Sequence, residues 1–145
     1  VLRNSFSGSQ MQEQKLKKLK VQSPDDRLLD KVMKVINDNL GNPDLNVEMI
    51  ATEVGISRVH LHRKLKELTN QSTRDLIRNV RLKQAASLLA NQYHNITEVA
   101  SLTGFTNIAY FSTAFKELYG VPPTSYMEEQ QKSSFSDGDK IEQQN

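Results

Sequence analysis

Residues 72–90, STRDLIRNVRLKQAASLLA, decide the fold of this chain. No Gly or Pro interrupts the stretch, and good helix formers fill most of its positions. Ser72 followed three residues later by Asp75 has the spacing of a capping box, in which each side chain satisfies a backbone N–H left free at the helix start. At about 1.5 Å per residue the predicted helix spans roughly 28 Å. Its apolar residues do not form one stripe. At about 100° per residue, Leu76, Ile77 and Val80 share one side, whereas Leu82, Ala85, Ala86 and Leu89 gather on a nearly opposite side further along. The first half therefore packs on one body and the second half on another. Arg74, Arg78 and Arg81 fall between those two sides and read either as a solvated basic face or as a face for a polyanion.

Upstream, Ser23-Pro24-Asp25-Asp26 supplies an N-cap, a Pro at the first helical position and acids in the first turn. Leu28, Leu29, Val32, Val35, Ile36 and Leu40 then recur at three and four, and Gly41 with Asn42-Pro43-Asp44 ends the helix. Asn46 caps a short helix with Val47, Ile50, Ala51 and Val54 inward and Gly55 at its end. Ser57 caps the next, residues 58–68, with Leu61, Leu65 and Leu68 inward and Arg58, His62, Arg63 and Lys66 outside. Short helix, Gly turn and a helix with a basic outer face form the pattern of a helix-turn-helix.

Downstream of a loop at residues 91–94 the pattern returns. Asn95, Ala100 and Gly104 repeat Asn46, Ala51 and Gly55 at an offset of 49, and Phe111, Phe115, Glu117 and Leu118 repeat Leu61, Leu65, Glu67 and Leu68 at 50. The extra residue falls in the turn of the second copy. Asn70 and Gly120 read as left-handed caps, and Ser72 and Pro122 begin the helices that follow. Such a repeat implies two copies of one supersecondary unit. The fold class is all-α, about seven helices, divided as a linker or partly disordered segment (1–22), a first helix-turn-helix unit (23–71), the connecting helix (72–90), a second unit (91–128) and a polar, disordered tail (129–145).

The chain has 145 residues, 37% hydrophobic and 25% charged, with no Cys, which suits one small soluble domain or two very small ones. Disulfides and thiol chemistry are excluded, and the absence of a signal peptide or a run of about 20 apolar residues points to the cytoplasm. A start at Val1 rather than Met suggests a fragment of something longer. The net charge of +2 conceals an uneven distribution. Residues 58–83 hold eight bases against two acids, a footprint for a polyanion.

Residues 96–126, ITEVASLTGFTNIAYFSTAFKELYGVPPTSY, resemble the signature of the AraC family of bacterial transcription regulators. The marks are Ala100, Gly104-Phe105, Asn107, Phe111, Phe115-Lys116, Gly120, Pro123 and Tyr126. LNVEMIATEVGISRVHLHRKLKELTNQS (residues 45–72) resembles the family's first helix-turn-helix, and the likeness covers about residues 23–128. SPDDRLLDKV followed by NPDLNVEMIATEVGISRVHLHRKLK is similar to the output domain of hybrid two-component regulators. That similarity implies upstream receiver and sensor domains, with residues 1–22 as the linker. The resemblance implies sequence-specific binding of double-stranded DNA by two recognition helices in successive major grooves, and RNA polymerase as a possible further partner.

Carried over by motif position, the base-contacting candidates are Val59, His62 and Arg63 on the first recognition helix and Ala109, Tyr110, Ser112 and Thr113 on the second. Arg63 carries a fork suited to guanine O6 and N7, His62 donates or accepts, and Val59 packs on a thymine methyl. Thr113 stands where the family often has Arg, so the second helix is expected to anchor more than it reads. Phosphate candidates are Ser57, Arg58, Lys64, Lys66, Arg74, Arg78, Arg81, Asn107 and Lys116, the two caps through backbone N–H groups at helix starts. Phe105, Phe111, Phe115, Leu118 and Tyr126 read as core. No cofactor or metal is expected. His60 and His62 point to different sides of one helix and His94 lies in a loop, so neither ligands nor a nucleophile, base and orienter converge. A helical protein-interaction module is the alternative of another class, since a fold does not assign a function.

Overall fold

A computed structural model describes residues 22–91 and 94–144, with residues 134–144 described by their backbone. Seven helices follow one another, and no strand occurs among the described residues: α1 (Pro24–Asp38), α2 (Val47–Val54), α3 (Arg58–Thr69), α4 (Thr73–Ala90), α5 (Ile96–Leu102), α6 (Ile108–Tyr119) and α7 (Pro123–Gln144). The predicted linker lies outside the described residues except for Gln22.

The helices start where short polar side chains take up a free backbone donor. Ser23, Asn46, Ser57, Ser72, Asn95 and Asn107 each accept from the N–H three residues on, which satisfies one of the orphan donors of each first turn. The reciprocal box forms at Ser23 and Asp26. At Ser72 half of the expected box is present: Ser72 Oγ accepts from the Asp75 N–H at 3.1 Å, while the Asp75 carboxylate lies 3.5 Å from Arg78 Nη2. Asn70 and Gly120 adopt the left-handed conformation predicted for them, with φ of 57° and 82°. The end of α1 differs from expectation, because the helix stops at Asp38 and Gly41 has no positive φ. Asn39 Nδ2 donates to the Val35 carbonyl at 2.8 Å, and its N–H steps back to Ile36 O. The last turn thus tightens before Gly41 is reached.

Two cores form, and α4 contributes to both. Val32, Ile36, Leu45, Ile50, Ala51, Leu61 and Leu65 enclose Leu76 and Ile77, with Val80 packed against them. Val99, Ala100, Phe111, Ala114 and Phe115 enclose Leu82, Ala85, Ala86 and Leu89. The two apolar sides of α4 therefore serve two bodies, as their angular separation requires. α1 and α3 lie against it in one unit, and α5, α6 and α7 in the other. Phe105 and Tyr126 pack on the second core, but Leu118 is 41% exposed. Tyr119 takes the expected place of Leu118, stacked on Phe115 at 4.6 Å with Tyr126 at 5.5 Å.

The two turns have the same close and different lengths. Ile56 N–H reaches the Ala51 carbonyl and Phe105 N–H the Ala100 carbonyl, at 3.1 and 2.8 Å. Gly55 and Gly104 both have φ +84°, a conformation that costs a residue with a Cβ about 1–2 kcal/mol. Thr106 is then the additional residue before the second cap.

Arg81 is a correction to the expectation that it faces a phosphate. It is 5% exposed. Its Nη1 donates to the Thr103 carbonyl at 2.7 Å and to Leu40 O, and its Nη2 donates to Asn42 O at 2.8 Å. The side chain leaves α4 between the two cores and runs into the meeting place of the loops after α1 and α5. Three carbonyl dipoles there replace the water a guanidinium loses on burial. Desolvation lowers its pKa from the ordinary value, yet an arginine remains protonated. Gly104 gives the passage: a Cβ there would lie 2.5 Å from Leu40 O and would overlap the guanidinium.

α7 runs on to Gln144, over residues whose composition suggested a disordered tail from 129. No Pro follows Pro123, and Glu, Gln and Lys favour helix even without an apolar stripe.

Candidate nucleic-acid interface

Capping by Ser57 and the burial of Leu61 and Leu65 set the rotation of α3, leaving its opposite side outward. Val59 is 76% exposed, and Arg63 and Lys66 are exposed beside it. An exposed valine thus shares the outer face of α3 with an arginine and a lysine. Arg58 is exposed but lies 3.6 Å from Glu48. Lys66 Nζ reaches the Asn70 carbonyl at 3.3 Å, a contact that solvent or a phosphate can displace.

His62 sits on the rim of this face, half-buried, with Nδ1 3.1 Å from Thr73 Oγ1. Thr73 is wholly buried, and nothing in the sequence reading singled it out. The available signal was a β-branched polar residue at the first position of α4, placed to meet the helix before it. The Lys64 ammonium turns toward α1, 3.2 Å from Asp25 and 3.9 Å from Glu67. One residue beyond Arg63 is about 100° further round the helix, enough to leave the outer face.

On α6 the same construction gives a different chemistry. Ala109, Tyr110 and Thr113 are exposed, Tyr110 at 46%, and Ser112 is half-buried. Thr113 Oγ1 donates to the Ala109 carbonyl at 3.0 Å. Its proton is thereby used within the helix, leaving a methyl group and acceptor lone pairs for a ligand. The only base on α6 is Lys116, exposed in the last turn. Asn107 Oδ1 takes the Tyr110 N–H at 3.0 Å, and the first N–H groups of the helix remain open.

Arg74 and Arg78 project from α4 into a cleft of about 240 Å³ that Asn107 and Tyr110 also line. The central helix thus carries two arginines to the start of the second recognition helix. Arg74 is exposed and Arg78 lies near Asp75. Among the described residues there is no group of three or more His, Cys, Asp or Glu able to hold a metal, and no helix is long and apolar enough to cross a membrane.

Two helix-turn-helix units on a shared helix, each with an outward second helix, place the chain in the class of paired helix-turn-helix proteins. A family profile described as a helix-turn-helix domain matches residues 50–129. The chain is 33% identical over 128 residues to an HTH-type transcriptional regulator in the cgkA 5' region of Pseudoalteromonas carrageenovora, itself uncharacterized, covering 88% of this chain and 70% of that protein. It is 35% identical over 106 residues to histidine kinase P4 of Formosa agariphila, covering 73% of this chain but 8% of the kinase. The C-terminal domain of AraT, a response regulator from Geobacillus stearothermophilus, superposes with a TM-score of 0.66 at 32% identity, covering 74% of this chain and 86% of that one. The chain belongs to the AraC-type family of helix-turn-helix, DNA-binding transcription regulators.

Proposed function

We propose that this chain is the output module of a two-component signalling protein, binding double-stranded DNA with α3 and α6 in successive major grooves of one face of the duplex. The observation that carries the reading is the pair of outward second helices held by one continuous α4. A helix of 18 residues matches, in order of magnitude, the roughly 34 Å between successive major grooves. The similarity to the C-terminal part of a response regulator and to a segment of a histidine kinase supports the signalling assignment. Receiver and sensor domains would then belong to the same signalling system, RNA polymerase would be the downstream partner, and the module would act in the cytoplasm.

The two units divide the work unequally. On α3, Arg63 presents a bidentate fork to a guanine, Val59 meets a thymine methyl and His62 adds one polar contact. On α6, Ala109, Tyr110, Ser112 and Thr113 supply methyl, ring and acceptor groups without a long basic side chain, so this helix anchors and senses shape. Ser57, Arg58, Lys66, Arg74, Arg78, Asn107 and Lys116 contact phosphates around both grooves.

Selection of bound duplexes from random DNA, followed by titration of variants, tests this reading. Arg63→Ala should cost about 1–3 kcal/mol on the selected site and relax discrimination at one base pair. Arg78→Ala should weaken all duplexes alike and flatten the dependence of affinity on salt. Equal losses on selected and random DNA for Arg63→Ala would remove the base-reading role.

A further inference from the structure

We propose that Thr73 is a positioning residue that fixes which ring nitrogen of His62 carries the proton, and so makes His62 a donor, through Nε2–H, toward the base edge it meets. The inference rests on the DNA-binding reading above and adds a specificity determinant that no recognition-helix pattern contains, because Thr73 lies outside α3 and has no exposed surface.

The argument concerns one proton. A neutral imidazole has one N–H and one bare nitrogen, and its hydrogen-bond partners select between the two forms. The Thr73 hydroxyl lies 3.1 Å from His62 Nδ1, and this is its one hydrogen bond among the described residues. With Nδ1 bare, Thr73 donates to it and every buried group is satisfied. With Nδ1 protonated, the hydroxyl oxygen becomes the acceptor, and the hydroxyl proton is left with no acceptor in a site closed to water. An orphaned buried donor disfavours that form by roughly five- to a hundredfold. The Nδ1-bare, Nε2–H form therefore dominates.

Nε2 faces the other way chemically. It has no hydrogen-bond partner among the described residues, yet no buried side-chain nitrogen or oxygen is left unpaired. Nε2 is accordingly not sealed from solvent, and His62 itself sits on the rim of the α3 face that carries Val59, Arg63 and Lys66. A donor in a major groove pairs with guanine O6 or N7, adenine N7 or thymine O4, and it rejects the amino groups of adenine and cytosine. A histidine free to exchange tautomers accepts from those amino groups too. By holding Nδ1, Thr73 narrows the set of base edges His62 tolerates.

The test has a DNA-free arm and a DNA arm. Nitrogen-15 spectra of the ring of His62 in the chain without DNA should give a bare Nδ1 and a protonated Nε2. Thr73→Val, nearly isosteric, should mix the two forms, and Thr73→Ser should restore the single form. In selections from random duplexes, Thr73→Val should lose at least about fivefold of the discrimination at one base pair while the Arg63 position stays unchanged, with Thr73→Ser restoring it. A protonated Nδ1 in the wild-type chain overturns the inference, as does a folded Thr73→Val variant with unaltered base preference. A wild-type chain that selects no sequence overturns the DNA-binding reading together with this one, whereas selective binding with an unlocked tautomer overturns this one alone.

Discussion

Replacing Arg81 by Met keeps an unbranched apolar stem of similar reach and deletes the guanidinium that ties the two units together. Three carbonyls lose their donor. That of Thr103 is buried, whereas those of Leu40 and Asn42 are partly buried and can turn toward water. An orphaned buried acceptor costs roughly 1–3 kcal/mol, and an ordinary hydrogen bond exchanged for water about 0.5–1.5 kcal/mol. The expected loss is therefore about 2–6 kcal/mol, a large share of the roughly 5–15 kcal/mol that holds a small domain together. At about 2–4 °C per kcal/mol for a chain approaching 150 residues, Tm should fall by at least roughly 4 °C. Thermal unfolding followed by far-ultraviolet circular dichroism measures that shift. Calorimetry adds a readout of coupling, since the two units share α4 but lose their direct tie: the ratio of calorimetric to van't Hoff enthalpy should rise above that of the wild type. A fall in Tm below about 3 °C with an unchanged ratio would show that Arg81 is merely a buried spectator and refute the reasoning.

Gly104→Ala and Gly55→Ala separate backbone strain from crowding, because both glycines have φ +84° but only Gly104 has neighbours where a Cβ would sit. Urea denaturation should give about 1–2 kcal/mol for Gly55→Ala and a clearly larger loss for Gly104→Ala, and equal losses would mean that the Arg81 passage is not tight. Tyr119 has its pKa raised by desolvation, with the charge of Tyr126 adding to it. Its favourable contribution is thus fully present below the unfolded tyrosine value of about 10 and is lost as pH rises through the raised folded value. Tyr119→Phe should make stability less sensitive to alkali, which pH-dependent urea midpoints would reveal.

Much of this organisation was legible in the sequence because it depends on neighbours along the chain. A cap needs a short polar side chain three residues before the donor it satisfies, so Ser23, Asn46, Ser57 and Ser72 mark helix starts with no knowledge of the rest. The two-sidedness of α4 follows from helical angle alone, and the change of offset from 49 to 50 places one additional residue, Thr106, in the second turn. Family membership was legible for the same reason, being carried by spacing. Leu118 and Tyr119 lie adjacent in the last turn of α6, and their helical angles do not decide which ring or chain fills the space beside Phe115.

The sequence by itself determined the helices, their caps, the repeat and the two faces of the central helix, since each is an interaction between residues a few positions apart. Only the tertiary structure decided which charges and polar groups face outward. Arg74, Arg78 and Arg81 look equivalent on a helix drawn alone, yet Arg81 meets carbonyls 41 and 22 residues away in the chain, and Lys64 turns to an acid of α1. His62 likewise meets a buried threonine on the next helix, 3.1 Å from its Nδ1. A side chain's exposure depends on what is folded over it, and hydrogen bonds made across such distances in the chain leave no period in the sequence from which they can be read.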